Sequence, residues 1–431
     1  MILTNARILT FDSANHVLDS GSVEVLPDGT IGQVGTSLSL SPRATDAGGR
    51  LLMPALINCH THLYSTLARG IPLLGRAPRT FPEILKKLWW RLDRALNSED
   101  IYYSALVGLI DSAKSGVGTV IDHHSSPNAC AGSLDRIEQA FHEVGLRGAL
   151  CYETSDRNGP RQALEGIQEN IRYVERVRAS DGMIAAAFGL HASFTLHDRT
   201  LRRCVEANQS HRAGFHIHVA EDRCDAAAVK RLRDFGILDE RTLAAHCLHV
   251  TAADMATLAR HQVNVIHNPQ SNCNNAVGAA KLPELVRRGV LVGLGSDGYS
   301  PRLWDEFKAA LHVQQLRARD PRVGYSEAYA AAFLNNRTIV KKVFGMDVGR
   351  IEPGAKADLV LVDYFPPSPL ASGNLFGHLL FGISNAPIDS LIVNGRYVIR
   401  NRQCVTVDER AIAEKAAMQS RTLWKRFEDN P

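Results

Sequence analysis

From Leu51 onward the chain alternates short apolar runs with longer segments of helical period. The runs are Leu56–Asn58, Val117–Ile121, Arg147–Cys151, Ile184–Leu190, Gly214–Val219, Thr242–Ala245, Val263–Ile266 and Val290–Gly295. Amphipathic stretches such as Ile101–Lys114, Leu164–Ala179 and Asp225–Phe235 lie between them. Alternating β and α elements imply a parallel sheet, and eight such units imply a closed (β/α)8 (TIM) barrel. The two ends read differently. Met1–Leu9, Ser22–Leu26 and Ile31–Val34 are β-like, with a turn at Pro27-Asp28-Gly29. Leu359–Val362, Ser390–Val393 and Tyr397–Ile399 are β-like again, and a helical tail, Glu409–Phe427, closes the chain. Each end is too small for a stable sheet of its own. The expected organisation is therefore a composite β-sandwich domain from 1–53 and 351–404, a barrel over 54–350, and a helical tail over 405–431.

Barrels of this kind place their chemistry at the C-terminal ends of the strands. Run one leads into His60-Thr61-His62, run two into Asp122-His123-His124, and run four into His191. Run five carries His218 and then Glu221; run six ends in His246, run seven in His267-Asn268, and run eight in Ser296-Asp297. Seven of the eight runs thus deliver histidine or aspartate to one rim, which chance scatter of 17 histidines does not produce. Side chains alternate along a strand, so His60 and His62 face the same way, about 6–7 Å apart. His218 comes from across the barrel and Asp297 from the last strand. Together these four can hold one divalent cation, and imidazole with carboxylate suits Zn²⁺ or Fe²⁺ better than Mg²⁺.

Other side chains carry plainer alternatives. His123 and His124 could line a pocket or lie behind it. His216 points with His218 but one layer deeper, as a packed interior histidine. His249 and His267 read as structural. Arg69 could meet a polar substrate or make a surface ion pair. Trp89-Trp90 reads as helix packing, and nothing marks Cys247 or Cys273 as nucleophiles.

Composition narrows the class. The net charge is +4 with acids and bases mixed, so no basic block exists to track nucleic acid. No run of about 18 apolar residues would span a membrane. Met1–Phe11 lacks the features of a signal peptide, so a cytoplasmic enzyme is expected. The 8 cysteines form no C-x-x-C pair and read as reduced thiols.

Several segments carry a resemblance. They are Pro54–His62 (PALINCHTH), His218-Val219-Ala220-Glu221, Ala245-His246-Cys247, His267–Asn272 (HNPQSN), Gly295-Ser296-Asp297-Gly298, Gly354–Leu359 and Val393–Arg396. Across essentially the whole chain these are similar to the amidohydrolase superfamily, in the branch with cytosine, guanine and S-adenosylhomocysteine deaminases and triazine hydrolases. Leu88–Arg94 (LWWRLDR) and Asp122–Pro127 (DHHSSP) look most like the SsnA-like aminohydrolases within it, a subgroup that names no substrate.

The resemblance implies a mononuclear, metal-dependent hydrolytic deaminase of a purine-, pyrimidine- or pterin-like base. A bound metal would lower the pKa of water from about 15.7 towards about 7. Asp297 would take a proton from that water, and Glu221 would shuttle protons to a ring nitrogen and to the departing amine. His246 would orient the attacking group or stabilise charge, while His191, Arg69 and His123 are the candidate substrate contacts. Glu153, after run three, is the one candidate to bridge a second metal. Two alternatives stay open: hydrolysis of another bond (triazine dechlorination, dealkylamination or cyclic amide opening) and, remotely, a non-catalytic binding barrel. A homodimer is expected by analogy alone. The nucleoside-type members carry a ribose-binding glutamate before Asp93-Arg94, where Leu92 aligns here; that points to a free base or other small heterocycle. The stretch Asp297–Arg302 also departs from the Asn-rich loop of adenosine-type members and leaves specificity after run eight open.

Overall fold

The computed structural model describes residues 1–36, 44–73, 75–177 and 182–429. Each apolar run becomes a parallel strand: β1 (Leu56–Thr61), β2 (Val117–His124), β3 (Arg147–Tyr152), β4 (Ile184–Ala186, resuming as Phe188–Ala192), β5 (Phe215–Val219), β6 (Leu243–His246), β7 (Asn264–His267) and β8 (Leu291–Leu294). Every residue of β1 and β2 is buried, as for strands covered on both faces. One ladder runs from β1 to the first half of β4, the other from its second half to β8.

Two seams close the ring. At the first, β4 breaks at Ala187 and His191 N–H donates to Thr154 O at 3.0 Å. Gly189 is required there, because an added Cβ would sit 2.2 Å from Tyr152 O. At the second, the N–H groups of Ser296 and Asp297 donate to His60 O at 2.8 and 3.0 Å.

The helices start and stop on local chemistry. Asn97 Oδ1 accepts from Asp100 N–H at 2.9 Å, and the Asp100 carboxylate accepts from Asn97 N–H at 2.7 Å. This reciprocal cap begins the helix Ser98–Lys114. Gly145, left-handed at φ 84, ends the helix Ser133–Val144. The helix expected from Leu164 begins earlier, at Pro160, a residue that fits the first helical position. It is described to Val177, and Ala179 lies outside the described residues.

The chain ends meet in one sheet of nine described strands. Leu51–Pro54 pairs antiparallel with Leu359–Val362 and parallel with Ile2–Leu9, which ties the N- and C-terminal parts together. Alternation along these strands feeds two cores. Leu52, Leu359 and Ile8 pack with Val23 and Ile31, whereas Leu51, Met53, Val360 and Leu9 join the barrel core. The strand Leu51–Pro54 runs almost directly into β1, so this sheet anchors the base of the first site-bearing strand. The tail helix Glu409–Asp429 lies on the barrel: Trp424 Nε1 donates to Leu67 O at 2.8 Å, and Arg426 Nε to Ala95 O at 2.9 Å. All eight cysteines are free. Among the described residues, no helix is long and apolar enough to cross a membrane.

Candidate metal centre and active site

The rings of His60, His62 and His218 converge at the C-terminal mouth of the barrel. Their centroids lie 4.9 Å (60–62), 5.1 Å (60–218) and 5.2 Å (62–218) apart. Asp297 joins them just after β8, in the left-handed region at φ 55. Gly295 lets the chain pass this close, since a Cβ there would lie 2.8 Å from His60 N. Ala220 (φ 47), His246 (φ 73) and Cys247 (φ 52) are left-handed too. Non-glycine residues held there cost about 1–3 kcal/mol each and cluster at functional sites.

Hydrogen bonds fix which nitrogen of each ring is free. His62 Nδ1 donates to His123 O at 2.6 Å, and His218 Nδ1 to His191 O at 2.8 Å. His60 Nδ1 meets His216 Nε2 at 2.9 Å. His216 Nδ1 faces Cys151 Sγ at 3.7 Å, and that thiol donates to Asp122 O at 3.6 Å. The thiol proton is thus spent on Asp122. His216 therefore holds its proton on Nδ1 and accepts from His60 Nδ1–H. All three imidazoles are left with a bare Nε2 aimed at one point.

This donor set fits a single divalent cation. His62 Nε2 and His218 Nε2 lie 3.2 Å apart, and two lone pairs that close repel unless a positive charge sits between them. Asp297 Oδ1 is 3.0 Å from His62 Nε2 and 3.7 Å from His60 Nε2. Tetrahedral ligands at about 2.1 Å from zinc are themselves separated by roughly 3.4 Å. His60 Nε2 is buried with no hydrogen-bond partner. Glu153, His191 and His218 also approach one another, but His218 has one free nitrogen and it faces His62. One nitrogen cannot serve two cations, which argues against a second metal.

Burial pushes the His60 imidazole down to about 4. For His62 burial also opposes charge, but the hydrogen bond to Asp297 and the carboxylates of Glu153 and Asp297 outweigh it and raise it to about 9. Without metal, a proton on His62 stands in for the cation.

Two further groups flank Asp297. His246 Nε2 is 3.7 Å from Asp297 Oδ2 and 3.5 Å from Glu221 Oε2. Its Nδ1 donates to Asn272 Oδ1 at 2.8 Å, so Nε2 carries the lone pair. Burial holds the Glu221 carboxyl well above the usual carboxylate range, and the Asp297 carboxylate adds to this. Ser271 Oγ donates to Asp297 Oδ2, and Gly298 N–H to Oδ1 at 2.8 Å.

His62, His218, Glu221 and Asp297 sit at the floor of a cavity. Tyr64, Phe81, Leu85, Trp89, Trp90 and Phe194 form its apolar walls, with His191, Glu153 and Arg157 as polar lining. His191 therefore reaches the cavity. Arg69 and His123 do not line it. Arg69 is exposed, bonds Asp111 at 2.5 Å and faces a neighbouring cleft lined also by Thr61, His62 and Ser65. His123 is fully buried and stacked on His216 at 4.4 Å and 11°, and its ring stands close enough to His60, His62 and His218 for the four to face one ion.

Trp89-Trp90 pack against the core, as expected, and also line the cavity. The helix carrying them widens to a π turn over Leu85–Trp89, which brings Leu85, Trp89 and Trp90 onto one face. Leu92 is buried in the core, and beside it Asp93 pairs with the cavity-lining Arg157 at 3.0 Å. Sequence reasoning missed Arg157, Asn272, Ser271 and Asn275, whose Nδ2 is 3.5 Å from Glu221 Oε1. Only the HNPQSN segment signalled any of them.

Comparison with known proteins agrees with this geometry. Residues 51–398 match the model of the amidohydrolase family. The chain is 32% identical over 399 residues, 88% of each chain, to a 5-methylthioadenosine/S-adenosylhomocysteine deaminase of Desulforudis audaxviator. It is 29% identical over 439 residues, 98% of each chain, to a 5'-deoxyadenosine deaminase of Methanosarcina mazei. A zinc-bound adenosine deaminase structure from Xanthomonas campestris superimposes with a TM-score of 0.86, at 22% identity and 98% coverage of both chains.

Proposed function

Since this chain belongs to the amidohydrolase family and is a metal-dependent hydrolase of carbon–nitrogen bonds, we propose that His60, His62, His218 and Asp297 hold one zinc ion for hydrolytic deamination of a planar aminated heterocycle. One observation carries the reading: three bare Nε2 atoms and a carboxylate converge on one point, with a buried carboxyl beside them on the cavity floor. The named activities of the two relatives above, both on adenosine analogues, support the reaction class.

When bound, a divalent cation acidifies water and makes it nucleophilic near neutral pH. The chain's own groups do the rest. The aromatic walls take a flat ring and keep water away. Asp297 accepts a proton at Oδ2, beside His246 Nε2. Glu221, kept protonated by burial, gives its proton to a ring nitrogen and afterwards relays one to the departing amine. His246 orients the attacking oxygen through its Nε2. The balance is a ring C–NH₂ plus water giving a ring carbonyl and ammonia.

The test is a screen of aminated purines, pyrimidines, pteridines and triazines for ammonia release, using protein of measured metal content. Glu221→Gln should retain fold and metal while turnover falls by about 10²–10⁴. Chloride or alkylamine release without ammonia would move the reaction to another bond. Near-normal rates in Glu221→Gln would place the proton shuttle elsewhere.

A further inference from the structure

His123 ends up beside the metal ligands without a task in the reaction just described. It lies near the end of β2, is 0% exposed, and stacks on His216 at 4.4 Å and 11°. The two stacked rings differ in one respect. His216 has both nitrogens engaged, Nε2 by His60 and Nδ1 by Cys151. Among the described residues, neither nitrogen of His123 makes a hydrogen bond. A buried imidazole left so is costly, because one nitrogen is a donor, the other an acceptor, and both have given up water.

Its neighbours show what fits. The His123 ring centroid lies 4.8 Å from that of His218 and 5.6 Å from those of His60 and His62. The three ligand rings stand 4.9–5.2 Å from one another, so His123 keeps much the same spacing. One nitrogen from each of these four histidines lies within 4.8 Å of the other three, a spread that donors around a single ion can close. His123 Nδ1 faces Glu153 Oε1 at 3.5 Å, as His62 Nδ1 does at 3.3 Å. A metal-bound imidazole commonly points its other N–H at a carboxyl group or a backbone carbonyl. With Nδ1 turned to Glu153, Nε2 is the nitrogen of His123 left for the cation.

We propose that His123 Nε2 is a fifth protein donor to the cation held by His60, His62, His218 and Asp297. Four imidazoles and one carboxylate still leave one position of a six-coordinate cation for water, so the chemistry above is kept. Glu153 then orients two of the ligand rings at once. The inference rests on the metal reading above and enlarges its donor set.

Cobalt tests it, because Co²⁺ enters zinc sites and its visible absorption strengthens as the number of donors falls. The parent and His123→Phe, which keeps a ring on His216 and loses both nitrogens, are stripped of metal and reloaded with Co²⁺. The visible bands should be stronger and shifted in His123→Phe. Its Kd for zinc, read by chelator competition, should rise by about tenfold or more. If His123→Phe does not fold or hold metal, a crystal structure of the zinc-loaded parent decides. There His123 Nε2 should stand about 2.0–2.1 Å from the ion, and a distance beyond about 3 Å would overturn the inference. Identical Co²⁺ spectra in parent and variant would also overturn it and leave the four-donor centre standing. So would weaker zinc binding with an unchanged Co²⁺ spectrum, the mark of a residue that only packs behind His60. A parent that binds neither Co²⁺ nor Zn²⁺ would overturn this inference and the metal reading together.

Discussion

His216 offers the sharpest way to separate metal holding from folding. Its Nε2 accepts from His60 Nδ1 at 2.9 Å, its ring stacks on His123 at 4.4 Å, and it is 0% exposed. His216→Phe keeps an aromatic ring in the stack and removes both nitrogens. His60 Nδ1–H is then buried without an acceptor whenever Nε2 binds metal. Leaving a buried donor unmade costs about 1–3 kcal/mol. At about 1.4 kcal/mol per tenfold, zinc affinity should fall roughly 5- to 150-fold, in line with the 10–100-fold typical when a ligand's supporting partner is lost. The metal-free protein has no such demand on His60, whose ring can change tautomer, and it no longer buries a polar imidazole. Its unfolding free energy should hold or rise. Chelator competition at fixed pH reads the first quantity and urea unfolding of the metal-free protein reads the second. His216→Gln, whose side-chain oxygen can accept, should recover part of the affinity. If His216→Phe binds zinc as tightly as the parent, the tautomer chain from His60 through His216 to Cys151 is wrong, and so is the argument that it aims His60 Nε2 at the cation.

Two more outcomes follow from the same cluster. His218→Asn removes one of the three bare nitrogens, so metal content should drop sharply while circular dichroism stays native-like; full occupancy in that variant would remove His218 from the ligand set. Metal affinity should also depend on pH, because His62 in the metal-free protein holds a proton up to about 9 that the cation must displace. Kd should therefore fall about tenfold per pH unit between pH 6 and 8 and level off near 9. The sign for stability is the reverse. A pKa raised from 6.5 stabilises the metal-free fold fully below 6.5, and that contribution is lost as pH rises through about 9. Calorimetric titrations and thermal melts across this range check both, and a pH-independent Kd would mean that no proton competes for the site.

The barrel and the meeting of His60, His62, His218 and Asp297 at its mouth were legible because both depend on short-range pattern. Strands buried on both faces write themselves as apolar runs, and all eight runs became strands. An H-x-H on one strand end needs only the two-residue repeat to face both rings one way. Boundaries were legible where a cap marks them and blurred where none was read, as at Pro160. The packing of Trp89-Trp90 was legible, but their cavity side escaped because a π turn changes which residues share a face, and the 3.6-residue period used to read the helix cannot show that. Arg69, read as either a substrate contact or a surface ion pair, takes the second course, because the 3-10 turn Leu63–Ala68 carries it out to Asp111.

What stayed hidden shares one property: it is set by a partner far along the chain. Whether His60 offers Nε2 depends on His216 from β5, which depends on Cys151 from β3, which depends on the Asp122 carbonyl of β2. No spacing rule links these four positions, because the barrel alone makes them neighbours. The same holds for Glu153. Read as a sequence, it was a possible metal bridge after strand three; in the fold, His218 has no second nitrogen to share, and Glu153 Oε1 is buried against His62 and His123 while Oε2 turns towards His191. A carboxyl group means cation ligand, proton relay or substrate clamp according to which donors surround it. Here it is the neighbouring histidine that decides: His218 Nδ1 is spent on His191 O and its Nε2 faces His62, so no nitrogen is left to share a second cation with Glu153, a fact visible only once every proton around the site has been assigned.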